Sequence, residues 1–303
     1  MAKNNSYRLN NRKKAFFPIL IWSLLLLWSI IFLFLLAWGV LTSFKSDMGY
    51  WMNSWGIGEM QYFGESAWAT DNYLKAFKLM KIYISKTGSW AFFLDMLFNS
   101  FYYCFVYALV GVFAPMVCSY VYCKYSKRLR WVNIVWILVL INLYVPISAS
   151  LAASLDLSMQ LGIYDNIFLF VICSFGPFGS EFLIYYAIWK GLSWEYAEAA
   201  FIDGADHWSV LFKIMFPMTI TVFLVLFVTK IIALWIDYST PMIFLPSYPT
   251  LAYGVYTFQN TNESTGIPIK IASLIAVALP LFIVFMFAKE KMMGSLTMGG
   301  LKG

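Results

Sequence analysis

The run from Phe16 to Leu41 is apolar apart from Ser23, Ser29 and Gly39. It is long enough to cross the hydrocarbon core of a bilayer, which takes about 20 residues as a helix. Nothing in that core can hydrogen-bond a backbone, so a spanning segment satisfies its own N–H and C=O groups by coiling into a helix. Five further runs read the same way: Leu97 to Tyr122, Trp131 to Leu155, Ile167 to Trp189, Leu211 to Trp235 and Ile271 to Ala288. The expectation is an all-α, polytopic membrane protein with six transmembrane helices in a single domain over residues 1–303. Composition agrees, with 61% hydrophobic and 12% charged residues against about 45–50% and 25% in soluble domains. A soluble globule, a disordered chain and a disulfide-stapled scaffold are thereby excluded. The first run is too long for a secretory signal and has no small-residue cleavage site, so it is expected to be retained. Pro115, Pro146, Pro177 and Pro280 fall inside or beside the runs and are kink candidates.

Charge placement sets the expected orientation. The tail over residues 1–15 carries Lys3, Arg8, Arg12, Lys13 and Lys14 with no acid, and Lys124, Lys127, Arg128 and Arg130 crowd the second connection. Both are expected in the cytoplasm, since basic residues favour the inner side. With six spans, both termini lie inside, the second formed by the tail over residues 289–303. The connection over residues 42–96 is charge-balanced and is expected outside. Within it, Thr70 or Asp71 is a candidate cap for a helix whose Tyr73, Phe77, Met80 and Ile84 share one face. Such a helix either lies in the outer interface or packs on the rim of the bundle. No repeat of 20–50 residues is visible.

The stretch over residues 190–217, KGLSWEYAEAAFIDGADHWSVLFKIMFP, is amphipathic and is expected to face the cytoplasm. Ser193 is a candidate N-cap. Trp194, Ala197, Phe201 and Ile202 are expected on one apolar face, while Glu195, Glu198 and Asp206 stay polar. Gly204 stops that helix, and a second turn precedes Pro217. A short helix, a glycine hinge and a second helix make a knob suited to a groove on another protein.

Glu198-Ala199-Ala200, Gly204 after three intervening residues, Ile214 after nine more and Pro217 after two more resemble the EAA motif of ABC importer permeases. The run Glu198 to Ala205, which includes Asp203, is especially similar to carbohydrate-importer permeases. Phe216 stands where that family usually has Leu, and Ser193 where sugar permeases often have Pro. Asn72-Tyr73, Asn99-Ser100, Leu161-Gly162 with Asp165, Trp235 and Leu251-Ala252-Tyr253-Gly254 also fit. The short tail ending Gly299-Gly300-Leu301-Lys302-Gly303 is similar to the second permease of maltose-type pairs. The resemblance implies that Glu198, Ala199, Ala200, Asp203, Gly204, Ile214 and Pro217 couple the membrane bundle to a separate ATPase. It further implies a heterodimer with a second permease, two ATPase subunits, an external solute-binding protein and a bacterial cell-membrane location. ATP and Mg would be bound by the ATPase, leaving this chain without a cofactor and without bond chemistry.

Glu181 and Lys230 are ionisable groups inside spans, where a charge costs at least about 2.5–3.5 kcal/mol at mid-depth. Counting about 1.5 Å per residue from Lys190 and Lys213 puts them at different depths and argues against a direct pair. Asn142, Tyr144, Glu181, Trp235, Asp237 and Tyr238 are candidates for a sugar path, because sugars stack on rings and bond to amides and carboxylates. An interfacial aromatic belt accounts for the rings equally well. Cys104, Cys118, Cys123 and Cys173 lack metal-type spacing, His207 is the single histidine, and no Gly-Lys dipeptide supplies a phosphate-cradling loop. Rival classes are a permease for a non-sugar solute, a stand-alone secondary transporter, and an integral membrane enzyme. A secondary transporter calls for inverted halves or several intramembrane charges, and an enzyme for a cluster of acids or histidines at depth.

Overall fold

A computed structural model describes residues 2–56, 61–62, 65–126, 133–145, 151–261 and 265–296. The chain is mostly helical: α1 (Ala2–Ser43), α2 (Asp47–Met52), α3 (Asn72–Leu79), α4 (Phe93–Tyr125), α5 (Ile134–Tyr144), α6 (Leu151–Gln160), α7 (Ser180–Gly191), α8 (Glu195–Ile202), α9 (His207–Ser209), α10 (Phe216–Ile236), α11 (Ser239–Phe244), α12 (Leu251–Thr261) and α13 (Ile267–Leu296). A 3-10 turn, Phe170–Ser174, precedes α7, and a π turn, Val210–Met215, joins α9 to α10. The all-α expectation needs one amendment. Two antiparallel ribbons, β1 (Gln61–Tyr62) with β2 (Glu65–Ser66) and β3 (Ile82–Ile84) with β4 (Ser89–Ala91), lie in the first long connection.

Four described segments are long and apolar enough to cross a membrane: Phe17–Ser43, Phe93–Tyr125, His207–Ile236 and Ile267–Phe287. The other two expected spans are interrupted. Over Trp131 to Leu155 the described helix is α5, followed by α6, with 131–132 and Pro146 outside the described residues. Over Ile167 to Trp189 only the 3-10 turn precedes an irregular stretch that includes Gly176-Pro177-Phe178-Gly179, and the α-helix begins with α7. Pro177 has no N–H to donate and disfavours the helical conformation at the residue before it. Pro115 and Pro280 sit inside α4 and α13, which stay helical across them. The bases at 127, 128 and 130 and the glycine-rich tail also lie outside the described residues.

Two compact units share the chain: Met1–Phe77 with Glu263–Ala276, and Lys78–Asn262 with Val277–Gly303. In the first, the exit of α1 is tied down by a buried polar network. Asn72 Nδ2 donates to the carbonyls of Ser43 (2.8 Å) and Lys45 (2.7 Å), and Tyr73 OH bonds Ser43 Oγ at 2.8 Å. The Lys45 ammonium donates to the carbonyls of Asn53 and Gly56, and its burial pushes its pKa below the ordinary value. Ser46 caps α2 by accepting from the Gly49 N–H. Asn72→Ala leaves two buried carbonyls unpaired. It should lower stability by about 1–3 kcal/mol, read as a fall in the thermal unfolding midpoint of the purified protein.

The expected helix near residue 73 is shorter than its pattern, because α3 ends at Leu79 and Ile84 belongs to β3. Gly88, at φ +65°, turns that ribbon back, pairing Tyr83 with Trp90. Ala76 in α3 and Met80 just beyond its end are fully buried, which fits a packed helix better than one lying on lipid.

In the second unit α4 is the hub, packed along α7 and α10. Its Met96, Tyr103, Tyr107, Ala108, Val112 and Met116 are all buried. Small residues permit the closest approaches: Gly254 on α12 faces the Met96 sulfur with no room for a Cβ. Tyr107 OH donates to the Ile167 carbonyl (2.8 Å), and Trp235 Nε1 donates to the Val277 carbonyl (3.0 Å).

Candidate functional site

The knob over residues 190–217 forms from local rules. Ser193 Oγ accepts the Glu195 N–H at 3.3 Å, while Trp194 occupies the N-cap position itself. At the other end the Ala205 N–H donates to the Ala200 carbonyl (2.9 Å) and the Gly204 N–H to the Phe201 carbonyl (3.1 Å). This is a Schellman closure, and it requires a left-handed residue just past the helix. Gly204 supplies it at φ +84°. Asp206 then caps the next helix by accepting the Ser209 N–H at 3.2 Å, and its bonds to Ser209 hold its carboxyl below the ordinary value.

The knob is anchored from beneath. Ala197, Ala200, Val210, Leu211 and Met215 join Val112, Met116, Tyr120, Tyr185, Trp189 and Phe223 in one buried cluster. Trp189 Nε1 donates to Ser119 Oγ (3.1 Å). Lys124 Nζ donates to the Leu192 carbonyl (2.8 Å) and lies over the Trp194 ring. Tyr125 OH bonds His207 Nδ1 at 2.7 Å, and the His207 ring rests on Phe201. His207 is thus part of the knob's own scaffold.

The exposed face carries Glu195, Tyr196, Glu198, Ala199, Ile202, Asp203 and Gly204, with Pro217 exposed at the start of α10. Ala200 and Ile214 point toward the base, buried and half-buried. One expectation is corrected here: Ile202 is 86% exposed and shares the face of Glu198, four residues earlier. Ala200 takes its place in the cluster. An exposed isoleucine between two acids was the missed feature, and its only sequence signal was that four-residue spacing.

The path candidates separate into three places. Glu181 and Lys230 form an ion pair at 3.6 Å, which corrects the expectation that they lie apart. Lys190 and Lys213 are unequal depth markers: the cluster that holds Tyr185 and Trp189 also holds Phe223, about 10 Å along the helix from Lys230. Asn142 Nδ2 donates to the Phe178 carbonyl in the broken segment (3.1 Å), and Tyr144 is exposed. Asp237 accepts from Tyr103 OH (3.1 Å) and from the Thr240 N–H (3.1 Å), and Tyr238 stacks on Tyr256. Trp235 is buried and committed to Val277.

Residues 105–290 match the family model of the binding-protein-dependent transport system inner membrane component. The chain belongs to this family. The matched range holds the whole knob, the Glu181–Lys230 pair and three of the four long apolar helices, wholly or in part. As a family member with several such helices, the protein is a multi-pass membrane protein. Similar proteins include the arabinooligosaccharides transport system permease protein AraQ of Bacillus subtilis, 28% identical over 56% of this chain and 61% of that relative. AraQ of Halalkalibacterium halodurans is 25% identical over 87% of this chain and 89% of its own length. The maltodextrin transport system permease protein MdxG of Bacillus subtilis is 28% identical over 61% and 67%. A bacterial ABC transporter involved in the import of the acidic polysaccharide alginate shares the fold. Its TM-score is 0.69 at 17% identity, covering 92% of this chain and 97% of that one.

A second polar knot in this permease lies around Asp165, buried at φ +53°. Its carboxylate accepts from the Ser247 N–H (2.8 Å), Ser247 Oγ (2.7 Å) and Lys86 Nζ (3.0 Å). Asp165→Ala should lower stability by roughly 2–4 kcal/mol from the lost Ser247 bonds and left-handed strain, measured by thermal unfolding. Asp165 raises the Lys86 pKa above its ordinary 10.5. That contribution is present in full below 10.5 and is lost as pH climbs through the raised value. Stability from this pair should therefore stay level between about pH 6 and 9.

Proposed function

We propose that the chain is one permease subunit of an ATP-driven importer for oligosaccharides in a bacterial cytoplasmic membrane. The observation that carries this reading is family membership joined to an exposed, acidic helix-turn-helix seated on a packed base. Six spans complete the bundle, with α5–α6 and the 3-10 turn plus α7 as the two interrupted crossings, and both termini face the cytoplasm. A second permease supplies the other half of the path, and an external binding protein delivers the solute. ATP and Mg act on two ATPase subunits, whose closure is passed to the bundle through Glu198, Ala199, Ala200, Asp203, Gly204, Ile214 and Pro217. The AraQ and MdxG names point to neutral pentose and glucose oligomers as the solute class.

The knob suits such a contact physically. Its backbone is locked by the Schellman closure and the Asp206 cap, so little conformational entropy is lost on docking. Glu198 and Asp203 provide charge-assisted acceptors, and Ile202 provides an apolar anchor between them. Co-expression with neighbouring genes followed by affinity purification tests the assembly. The expected result is that a second permease and an ATPase purify with this chain. A chain that purifies alone and moves solute would overturn the reading in favour of a stand-alone transporter.

A further inference from the structure

The pair of Glu181 and Lys230 lies within apolar stretches read as spanning, and ionisable groups at such depth face a bundle interior or a water-filled cavity rather than lipid. Neither side chain is sealed in: their exposures are 25% and 37%. At 3.6 Å the contact is an ion pair and longer than a hydrogen bond, so both groups keep donor and acceptor capacity. Glu181 sits in the first turn of α7, where the helix N-terminus favours an anion. Its Oε2 accepts from Ser180 Oγ at 3.1 Å. The Lys230 stem passes over Gly111 of α4, where an added Cβ would meet it at 3.4 Å. Exposed Asn142 reaches the same broken segment through Phe178. By contrast, the groove of about 450 Å³ lined by Phe101, Phe105, Phe227, Val228, Val284 and Phe287 has apolar walls that offer hydroxyl groups nothing.

We propose that the Glu181–Lys230 pair contacts the passing solute and selects uncharged polyhydroxyl compounds over acidic or basic ones, an inference that rests on the saccharide-permease reading. The pair is charged enough to give charge-assisted bonds to hydroxyls and has no net charge. A uronic acid would draw Lys230 away and set its own carboxylate beside Glu181, a like-charge contact. An amino sugar meets the mirror-image conflict at Lys230. Selection therefore comes from the repulsive partner as much as from the attractive one.

The test is equilibrium binding of maltotriose, trigalacturonate and the glucosamine trimer to the assembled importer in lipid nanodiscs, with the binding protein omitted. The wild-type assembly should bind maltotriose at least about tenfold more tightly than either charged trimer. Glu181→Gln leaves a net positive site and should shift the preference toward trigalacturonate. Lys230→Gln should shift it toward the glucosamine trimer. The exchanged double variant Glu181→Lys/Lys230→Glu should restore the wild-type order. If a single variant fails to assemble, Glu181→Gln/Lys230→Gln removes both charges and should shrink the preference for maltotriose over the two charged trimers. A pair that merely holds α7 on α10 would change thermal stability without reordering the trimers. That outcome, an undiminished preference in the neutral double variant, or a wild-type assembly that binds none of the three, overturns the proposal. Failure to purify with an ATPase would instead strike at the importer reading.

Discussion

Gly204→Asp is expected to abolish productive association with the ATPase while leaving the permease inserted and folded. Gly204 stands at φ +84°, and an added Cβ would meet nothing within 4 Å. The cost inside this chain is thus the left-handed backbone alone, about 1–2 kcal/mol, and aspartate tolerates that region better than most residues. The cost at the docking surface is larger. A further carboxylate would join exposed Glu195, Glu198 and Asp203 where a partner's backbone must come close. Copurified ATPase and its hydrolysis rate should fall at least about tenfold, the equivalent of 1.4 kcal/mol or more. Gly204→Ala carries the strain without the charge and should fall far less. Unchanged assembly and transport in Gly204→Asp would remove this glycine from the coupling surface.

Trp189→Ala is expected to cause the largest loss of stability in the bundle. The ring is fully buried, packs edge-on against Tyr120 at 5.3 Å and donates to Ser119 Oγ. Removing a buried Trp typically costs about 3–5 kcal/mol, because the surroundings close only part of the cavity. The cavity would open in the cluster that seats Ala197 and Ala200. Coupling should suffer along with thermal stability, even though Trp189 lies beneath the exposed surface. Trp189→Phe should be much milder, since Ser119 Oγ keeps its own bond to the Met116 carbonyl. A Trp189→Ala protein with wild-type melting behaviour would show that the knob does not depend on this base.

The membrane class was legible because hydrocarbon admits so few backbone solutions, and four of the six apolar runs are long helices. The two interrupted runs were harder, because hydropathy reports apolar content and not backbone continuity. Pro177 between two glycines marked one break, yet Pro115 and Pro280 carry the same signal inside unbroken helices. What differs is whether neighbours re-satisfy the freed carbonyls, a tertiary property. The knob was nearly complete in the sequence, since the Gly204 closure and Asp206 cap are local chemistry. Ile202 was misplaced because eight residues make barely two turns, too few for periodicity to choose a face. The Glu181–Lys230 contact was missed because counting along each helix assumed a common starting depth, and the packing of Trp189 and Phe223 sets a different one. Asp165 stood out in sequence only by resemblance, and its partners Lys86 and Ser247 are each some 80 residues away.

The most direct measurement of the central claim is ATP hydrolysis by the assembly reconstituted in lipid, with wild-type chain or Gly204→Asp, with and without binding protein and oligosaccharide. The account predicts that saccharide-loaded binding protein raises hydrolysis in the wild type and that Gly204→Asp removes the response. Saccharide uptake by this chain in vesicles lacking any ATPase, or a full response in Gly204→Asp, would contradict it.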